Sequence, residues 1–185
     1  MPIVNITATF TLGPLDFDEV KQLPCISSEK RNVKRKRITT AFDQVIIRQP
    51  HSRVVFLLYR TNKCVCLGAR SEREVQNACD WLGNELGVSL LAAPVINNMV
   101  YAFASKHGPI RLETLFAKLQ NQMKGRAFGS FEPELSPALI YIPKCCPRAK
   151  ALIFRPGKVN ITGLRTLSDA QLAASEIEHI LEVNQ

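Results

Sequence analysis

Arg53-Val-Val-Phe-Leu-Leu-Tyr59-Arg-Thr-Asn-Lys63-Cys-Val-Cys-Leu-Gly68-Ala-Arg70 decides the reading of this chain, because it occurs twice. Ninety-five positions later stands Arg148-Ala-Lys-Ala-Leu-Ile-Phe154-Arg-Pro-Gly-Lys158-Val-Asn-Ile-Thr-Gly163-Leu-Arg165, aligned without a gap. Each copy carries a β-rich apolar run, a two-residue turn (Thr61-Asn62, Pro156-Gly157), a lysine and a second short strand closed by glycine. That is the signature of a β-hairpin. Asn in one turn and Gly in the other predict positive φ at the second central residue. Two copies imply a duplicated domain, with residues 1–92 as first repeat and 93–185 as second.

The composition suits that plan. Of 185 residues, 46% are hydrophobic, enough for a core in each half. A net charge of +8 favours an anionic partner. The six cysteines (Cys25, Cys64, Cys66, Cys79, Cys145, Cys146) have neither disulfide-framework nor zinc-finger spacing, so reduced structural thiols and no metal are expected. Without a secretory leader or an apolar run of about eighteen residues, the expectation is an intracellular, soluble protein with no membrane role. His51, His107 and His179 join no nucleophile, metal or acid-base constellation, so no enzyme, cofactor or small-molecule substrate is expected.

Outward from the hairpins, Val4–Phe10 reads as a strand with Asn5, Thr7 and Thr9 on one side and Ile6, Ala8 and Phe10 on the other. A short helix over Asp16–Leu23 is stopped by Pro24. Six of the nine residues Glu29–Arg37 are Lys or Arg, which fits a solvated loop, a phosphate-facing loop or a nuclear-import signal. Phe42–Arg48, Val54–Tyr59 and Lys63–Leu67 follow as strands. Ser71 and Glu74 form a capping box for a helix to Leu86, whose stripe is Val75, Ala78, Cys79, Leu82 and Leu86; Trp81 lies off it. The second half repeats the order: a strand over Val95–Phe103, a helix over Ile110–Leu119, a sheet run beginning at Leu135–Tyr141, the second hairpin and a last helix. For that last helix, Ser168 and Gln171 predict the capping box and Leu167 and Leu172 the staple. The plan is α+β, with helices on one face of a sheet.

One feature of these strands points to function. An antiparallel strand with one wet face should alternate apolar and polar residues. Val54–Tyr59, Val45-Ile46-Ile47 and Ala138–Ile142 do not alternate. The helices can cover one face only, and an apolar second face marks a binding surface. Composition alone leaves two occupants: a second protein layer, such as the sheet of a homodimer partner, or DNA opened along its minor groove. The latter takes wedge side chains between bases and cations on the flanking phosphates.

Taken together, Asn5-Ile-Thr-Ala-Thr, Phe42-x-x-Val-Ile-Ile-Arg48, Lys63-x-Val-Cys-Leu-Gly-Ala-Arg70, Phe131-Glu-Pro-Glu-Leu135 and Leu152-Ile-Phe154-x-x-Gly-Lys158-x-x-x-Thr162-Gly163 resemble the TATA-box-binding protein (TBP) family over nearly the whole chain. TATA-box-binding proteins are themselves a reference case for minor-groove wedging, so that mode of binding comes with the resemblance. The resemblance implies a saddle-shaped, pseudo-twofold duplicated domain: a curved ten-stranded antiparallel sheet with four helices on the convex face. It implies wedge positions at Phe42, Tyr59, Ser136 and Phe154. Floor positions facing the minor groove are Asn5, Thr7, Val65, Leu67, Asn98, Val100, Asn160 and Thr162. Phosphate contacts are Arg48, Arg53, Lys63, Arg70, Arg148, Lys158 and Arg165. Glu132, Glu134 and Leu135 match the loop that binds transcription factor IIB. The implied partners are promoter double-stranded DNA, transcription factors IIA and IIB and TBP-associated factors, in the nucleus.

The sequence departs from the family pattern at several of these positions. Ser136 replaces an intercalating phenylalanine, Tyr59 adds a hydroxyl to a wedge, and Leu67 stands for a base-contacting threonine. Thr7 and Asn160 replace valines, Ala41 replaces a basic residue, and one extra residue falls between Ile142 and Arg148. The pattern is that of a divergent TATA-box-binding protein or a TBP-related factor. The alternative is an interaction factor that assembles initiation proteins without sequence-specific TATA binding.

Overall fold

The computed structural model describes residues 3–20, 26–27 (backbone), 44–123 and 128–184. Pro24, Cys25, the basic run 29–37, Ala41 and the wedge candidate Phe42 lie outside the described residues. The chain divides into two compact units, Asn5–Asn97, and Asn98–Gln185 together with Met1–Val4.

In the unit Asn5–Asn97, strands β1 (Ile3–Thr11), β2 (Ile26–Ser27), β3 (Gln44–Arg48), β4 (Val55–Tyr59) and β5 (Lys63–Ala69) form an antiparallel sheet in the order β2-β3-β4-β5-β1. Helix α1 (Phe17–Val20) precedes β2, and α2 (Glu72–Leu86) follows β5. Asp16 Oδ1 accepts from Asp18 N and Glu19 N at 2.8 and 3.2 Å, which opens α1. Ser71 Oγ accepts from Glu74 N at 3.1 Å, Glu74 reaches back to Arg70 N at 2.7 Å, and Gly87 ends α2 with φ 66°. The capping residues are those expected, except that Glu74 bonds the residue before the cap. The core forms where Ile6, Ala8, Phe10, Phe56, Leu58, Cys64 and Cys66 from the strands meet Val75, Ala78, Cys79 and Leu82 from α2, all buried. Trp81, whose role the sequence does not reveal, stacks on Phe56 with centroids 6.2 Å apart.

In the unit beginning at Asn98, β6 (Val95–Ala104), β7 (Gly129–Ser130), β8 (Ala138–Tyr141), β9 (Lys150–Phe154) and β10 (Lys158–Leu164) take the order β6-β10-β9-β8-β7. Helices α3 (Leu112–Met123) and α4 (Leu167–Val183) complete it. Met99, Tyr101, Phe103, Leu139, Tyr141, Ile153, Val159 and Ile161 are buried, as are Leu112, Leu115 and Leu119 of α3 and Ala173, Ile177 and Leu181 of α4. The half-buried Phe116 joins Phe128 and Phe131, at 5.6 and 6.1 Å, in an aromatic cluster.

Three expectations are corrected. The strand in the second sheet run starts at Ala138, not Leu135, because residues 132–136 are a turn in which Leu135 N and Ser136 N both donate to Glu132 O. The cap of α4 is Thr166, whose Oγ1 accepts from Asp169 N at 3.1 Å, so Ser168 and Gln171 lie inside the helix and form no capping box. Leu167 and Leu172 are 44% and 56% exposed and form no staple. Thr166 lies ninety-five positions after Ser71, so the cap follows the same repeat as the hairpin.

Glu176 of α4 holds the segment carrying the extra residue. It accepts from the buried Tyr141 hydroxyl at 2.6 Å, Lys144 N at 2.8 Å and Cys145 N at 3.0 Å. Burial pushes its carboxyl up, but the Tyr141 hydroxyl and the two backbone N–H groups outweigh that and hold it below the usual carboxylate value. A depressed carboxylate contributes stability that is full above its unfolded pKa and is lost as pH falls through the folded value. Glu176→Ala should therefore cost about 1–2 kcal/mol at pH 7. The difference from wild type, read by urea titration, should shrink below about pH 4. A pH-independent difference would show that the carboxylate charge contributes nothing.

Candidate nucleic-acid interface

Parity along each strand separates two faces. Residues of one parity are buried under the helices. Those of the other are partly exposed: Thr7, Thr9, Val55, Leu57, Tyr59, Val65 and Leu67 in one unit, and Val100, Ala102, Ile140, Leu152, Phe154, Asn160 and Thr162 in the other. The ladder sets them in rows. Thr9 lies opposite Val65, Val65 opposite Leu57 and Leu57 opposite Ile46; Thr7, Leu67, Val55 and Arg48 form the next row. In the other unit Ala102, Asn160, Leu152 and Ile140 form a row, Phe154 lies opposite Ala138, and Thr162 opposite Lys150. The open faces are thus mainly apolar, which explains why the central strands do not alternate.

Each face carries one asparagine clasp. Asn5 Oδ1 accepts from Gly68 N at 2.9 Å, and Asn98 Oδ1 accepts from Gly163 N at 2.7 Å. An N–H can only be met by the amide oxygen, so the bond fixes each carboxamide and leaves its two Nδ2 hydrogens as donors. The glycines are required. Gly68 and Gly163 have φ of 100° and 82°, and a Cβ there would lie 2.5 Å from Arg53 O and 2.6 Å from Arg148 O. The ladder is irregular beside both clasps, at Ile6/Thr7 and at Ile161/Leu164. Such irregularities are a general means of re-aiming a side chain, and each asparagine lies beside one or pairs with a glycine inside it.

Cations fringe both faces. Arg48, Arg53, Lys63 and Arg70 in one unit and Arg148, Lys158 and Arg165 in the other are all exposed, and among the described residues none forms an ion pair. Two other arginines behave differently. Arg60 pairs with Asp18 of α1 at 3.2 Å and lies 5.0 Å over the Phe17 ring, while its repeat counterpart Arg155 pairs with Glu113 of α3. Each hairpin turn is thereby tied to the short or first helix of its own half. Such exposed pairs contribute little to stability. The turns themselves carry the expected positive φ, 60° at Asn62 and 88° at Gly157.

Tyr59 and Phe154 close their strands next to these turns, both partly exposed. Ser136 Oγ accepts from Ala138 N at 3.3 Å, and Ala138 is the register partner of Phe154. A groove of about 260 Å³ lined by Phe131, Pro133, Pro137, Phe154, Arg155 and Pro156 adjoins that wedge candidate. In the turn after Phe131, Glu132 and Glu134 are exposed and Leu135 is 81% exposed, an unusual position for leucine. Among the described cysteines, Cys64, Cys66, Cys79 and Cys146 are buried and Cys145 is exposed. Burial first, and then neighbouring Cys66, push the Cys64 thiol up, which keeps it protonated and inert.

Sequence reasoning assigned no binding role to several residues of the open faces: Thr9, Val55, Leu57, Ile140, Leu152 and Lys150. Parity with Tyr59 and Phe154 is the signal that finds them, once the strand boundaries are fixed.

Comparisons with known proteins agree with this geometry. The family model for "Transcription factor TFIID (or TATA-binding protein, TBP)" matches residues 1–87 and 93–183. A TATA-box-binding protein of Pyrobaculum calidifontis is 30% identical over 97% of this chain and 85% of its own. A TBP-related factor of Drosophila melanogaster is 35% identical over 96% of this chain and 74% of its own. The solved structure of Methanococcus jannaschii TBP matches with a TM-score of 0.72 at 26% identity, covering 98% and 97% of the two chains.

Proposed function

This chain belongs to the TATA-binding-protein family, whose members are DNA-binding transcription initiation factors, and on that premise we propose that it grips promoter DNA through the minor groove. The observation that carries the reading is the pair of asparagine clasps on apolar, cation-fringed sheet faces. The minor groove of A·T pairs presents only acceptors, adenine N3 and thymine O2. The Nδ2 donors of Asn5 and Asn98 are complementary to them. Thr7, Val65, Leu67, Val100, Asn160 and Thr162 would lie on the groove floor. Phe42, Tyr59 and Phe154 act as wedges that unstack base steps and bend the duplex. Arg48, Arg53, Lys63, Arg70, Arg148, Lys158 and Arg165 take the phosphates. The exposed Leu135, flanked by Glu132 and Glu134, offers an apolar and acidic knob to transcription factor IIB.

Ser136 favours a second reading. Without a ring beside Phe154, one wedge is half missing, and unstacking a step costs a few kcal/mol. On that reading the chain assembles initiation factors through the Glu132–Leu135 turn without selecting TATA. Titration with a TATA duplex and a scrambled duplex at two salt concentrations separates the two. The groove reading expects a clear TATA preference and a log–log salt slope of several units, about 0.9 per neutralised phosphate. Equal affinities with a shallow slope would support the second reading.

Restoring the ring tests the wedge itself. Ser136→Phe should tighten TATA binding roughly tenfold, about 1.4 kcal/mol, and increase bending in a fluorescence-transfer assay. An unchanged dissociation constant and bend would mean that this end of the site has no wedge.

A further inference from the structure

We propose that Lys150 is the second half's substitute for Arg48: a phosphate-anchoring cation transposed one strand inward. The inference rests on the DNA-binding reading above and adds a contact to it. The strand registers carry it. Gln44 lies opposite Tyr59, Ile46 opposite Leu57 and Arg48 opposite Val55 in β3 and β4. In β8 and β9, Ala138 lies opposite Phe154, Ile140 opposite Leu152 and Tyr141 opposite Ala151. Tyr59 and Phe154 are the same repeat position, so the registers equate Gln44 with Ala138, Ile46 with Ile140, and Arg48 with Ile142. Ile142 remains in the ladder, donating its N–H to Phe128 O at 2.8 Å beside the Gly129–Tyr141 pair. The next step of the β8–β9 register places it against Lys150.

The first half therefore has the row Arg48–Val55–Leu67, and the second has Ile142–Lys150–Thr162. Cation and aliphatic residue have exchanged strands. Lys150 has the parity of Leu152 and Phe154, so it stands on the open face; it is exposed, and no described residue pairs with it. Neighbouring strands lie about 4.8 Å apart, a distance that the four-carbon stem of a lysine can span back to the phosphate position. Without this exchange, the row equivalent to Arg48 would carry no charge in the second half.

The test uses the full chain with A·T-rich and G·C-containing duplexes at several salt concentrations. Lys150→Val, which copies the first half, should weaken every duplex by a similar factor of roughly 5–10 and lower the salt slope by about 0.9. Moving the charge back, with Lys150→Val and Ile142→Arg together, should restore both quantities to within about twofold of wild type. Ile142→Arg alone should bind at least as tightly as wild type, which controls for damage to the fold. A loss confined to one sequence class would make Lys150 a base reader and overturn the proposal. So would an unchanged slope, or a folded double variant that fails to recover. If wild type itself binds no duplex in a salt-dependent way, the DNA-binding reading fails first, and a normal wild type with an unaffected Lys150→Val sinks only the transposition.

Discussion

Asn98→Asp should weaken promoter binding by at least about 100-fold while leaving the fold intact. The carboxylate is isosteric with the carboxamide and still accepts the Gly163 N–H, now as a charge-assisted bond. Thermal unfolding should therefore move by only a few degrees. The outward atom changes from a two-hydrogen donor to an anionic oxygen. Facing thymine O2 or adenine N3, it loses a base contact worth about 1–3 kcal/mol and adds repulsion from an acceptor-lined, phosphate-walled groove. The combined effect should be at least about 100-fold in dissociation constant, since each 1.4 kcal/mol is tenfold. Asn5→Asp should do the same through Gly68. Anisotropy titration of a labelled TATA duplex reads the loss, and retained affinity with a stable Asp variant would place the groove elsewhere.

The second large effect is on folding. Gly163→Ala must push a methyl carbon to 2.6 Å from Arg148 O at a φ of 82°, where both the approach and the backbone resist. Backbone has to move, and the Asn98 clasp moves with it. A cost of about 3 kcal/mol is expected from combined strain and lost bonding. For a chain of this size that lowers the melting temperature by about 6–12 °C. Gly68→Ala should behave alike, with its Cβ 2.5 Å from Arg53 O. Gly87→Ala is the control. Its φ is 66°, but no atom lies within 4 Å of the added carbon, so only the left-handed penalty of about 1 kcal/mol remains. Equal losses at all three positions would show that the close approach contributes nothing.

Most of the fold is legible because the duplication is visible in local chemistry. Turn residues needing positive φ, a closing glycine and a lysine recur at one offset, and they fix strand, turn and strand without any long-range information. The faces of β1 follow from simple alternation of Asn5, Thr7 and Thr9 against Ile6, Ala8 and Phe10. The α+β class and the four helices among the described residues follow from 3.6-residue stripes such as Leu112, Leu115 and Leu119.

Misses arise where local signals compete. Ser168 and Gln171 have capping-box spacing, yet Thr166 caps α4 because the chain leaves β10 at the same point as it leaves β5 before Ser71. Leu135 reads as a strand residue by hydrophobicity, but Glu132 O gathers the N–H groups of Leu135 and Ser136 into a turn and leaves the leucine in solvent. Lys150 sits inside an otherwise apolar run; parity with Phe154 gives its face once the strand is bounded, but only cross-strand register shows which row it joins. The two-residue edge strands β2 and β7 are too short to carry any periodicity. The asparagine clasps are long-range contacts, sixty-three and sixty-five residues apart in sequence, so no local pattern announces them.

Inosine substitution tests the central claim most directly. An I·C pair presents the minor groove of an A·T pair, lacking the guanine amino group, but the major groove of a G·C pair. Affinity should be kept within a few-fold when every A·T pair of a bound TATA duplex is replaced by I·C, and should fall sharply when G·C replaces them. Loss of binding to the I·C duplex equal to that on the G·C duplex would contradict a groove-floor grip by these two sheet faces.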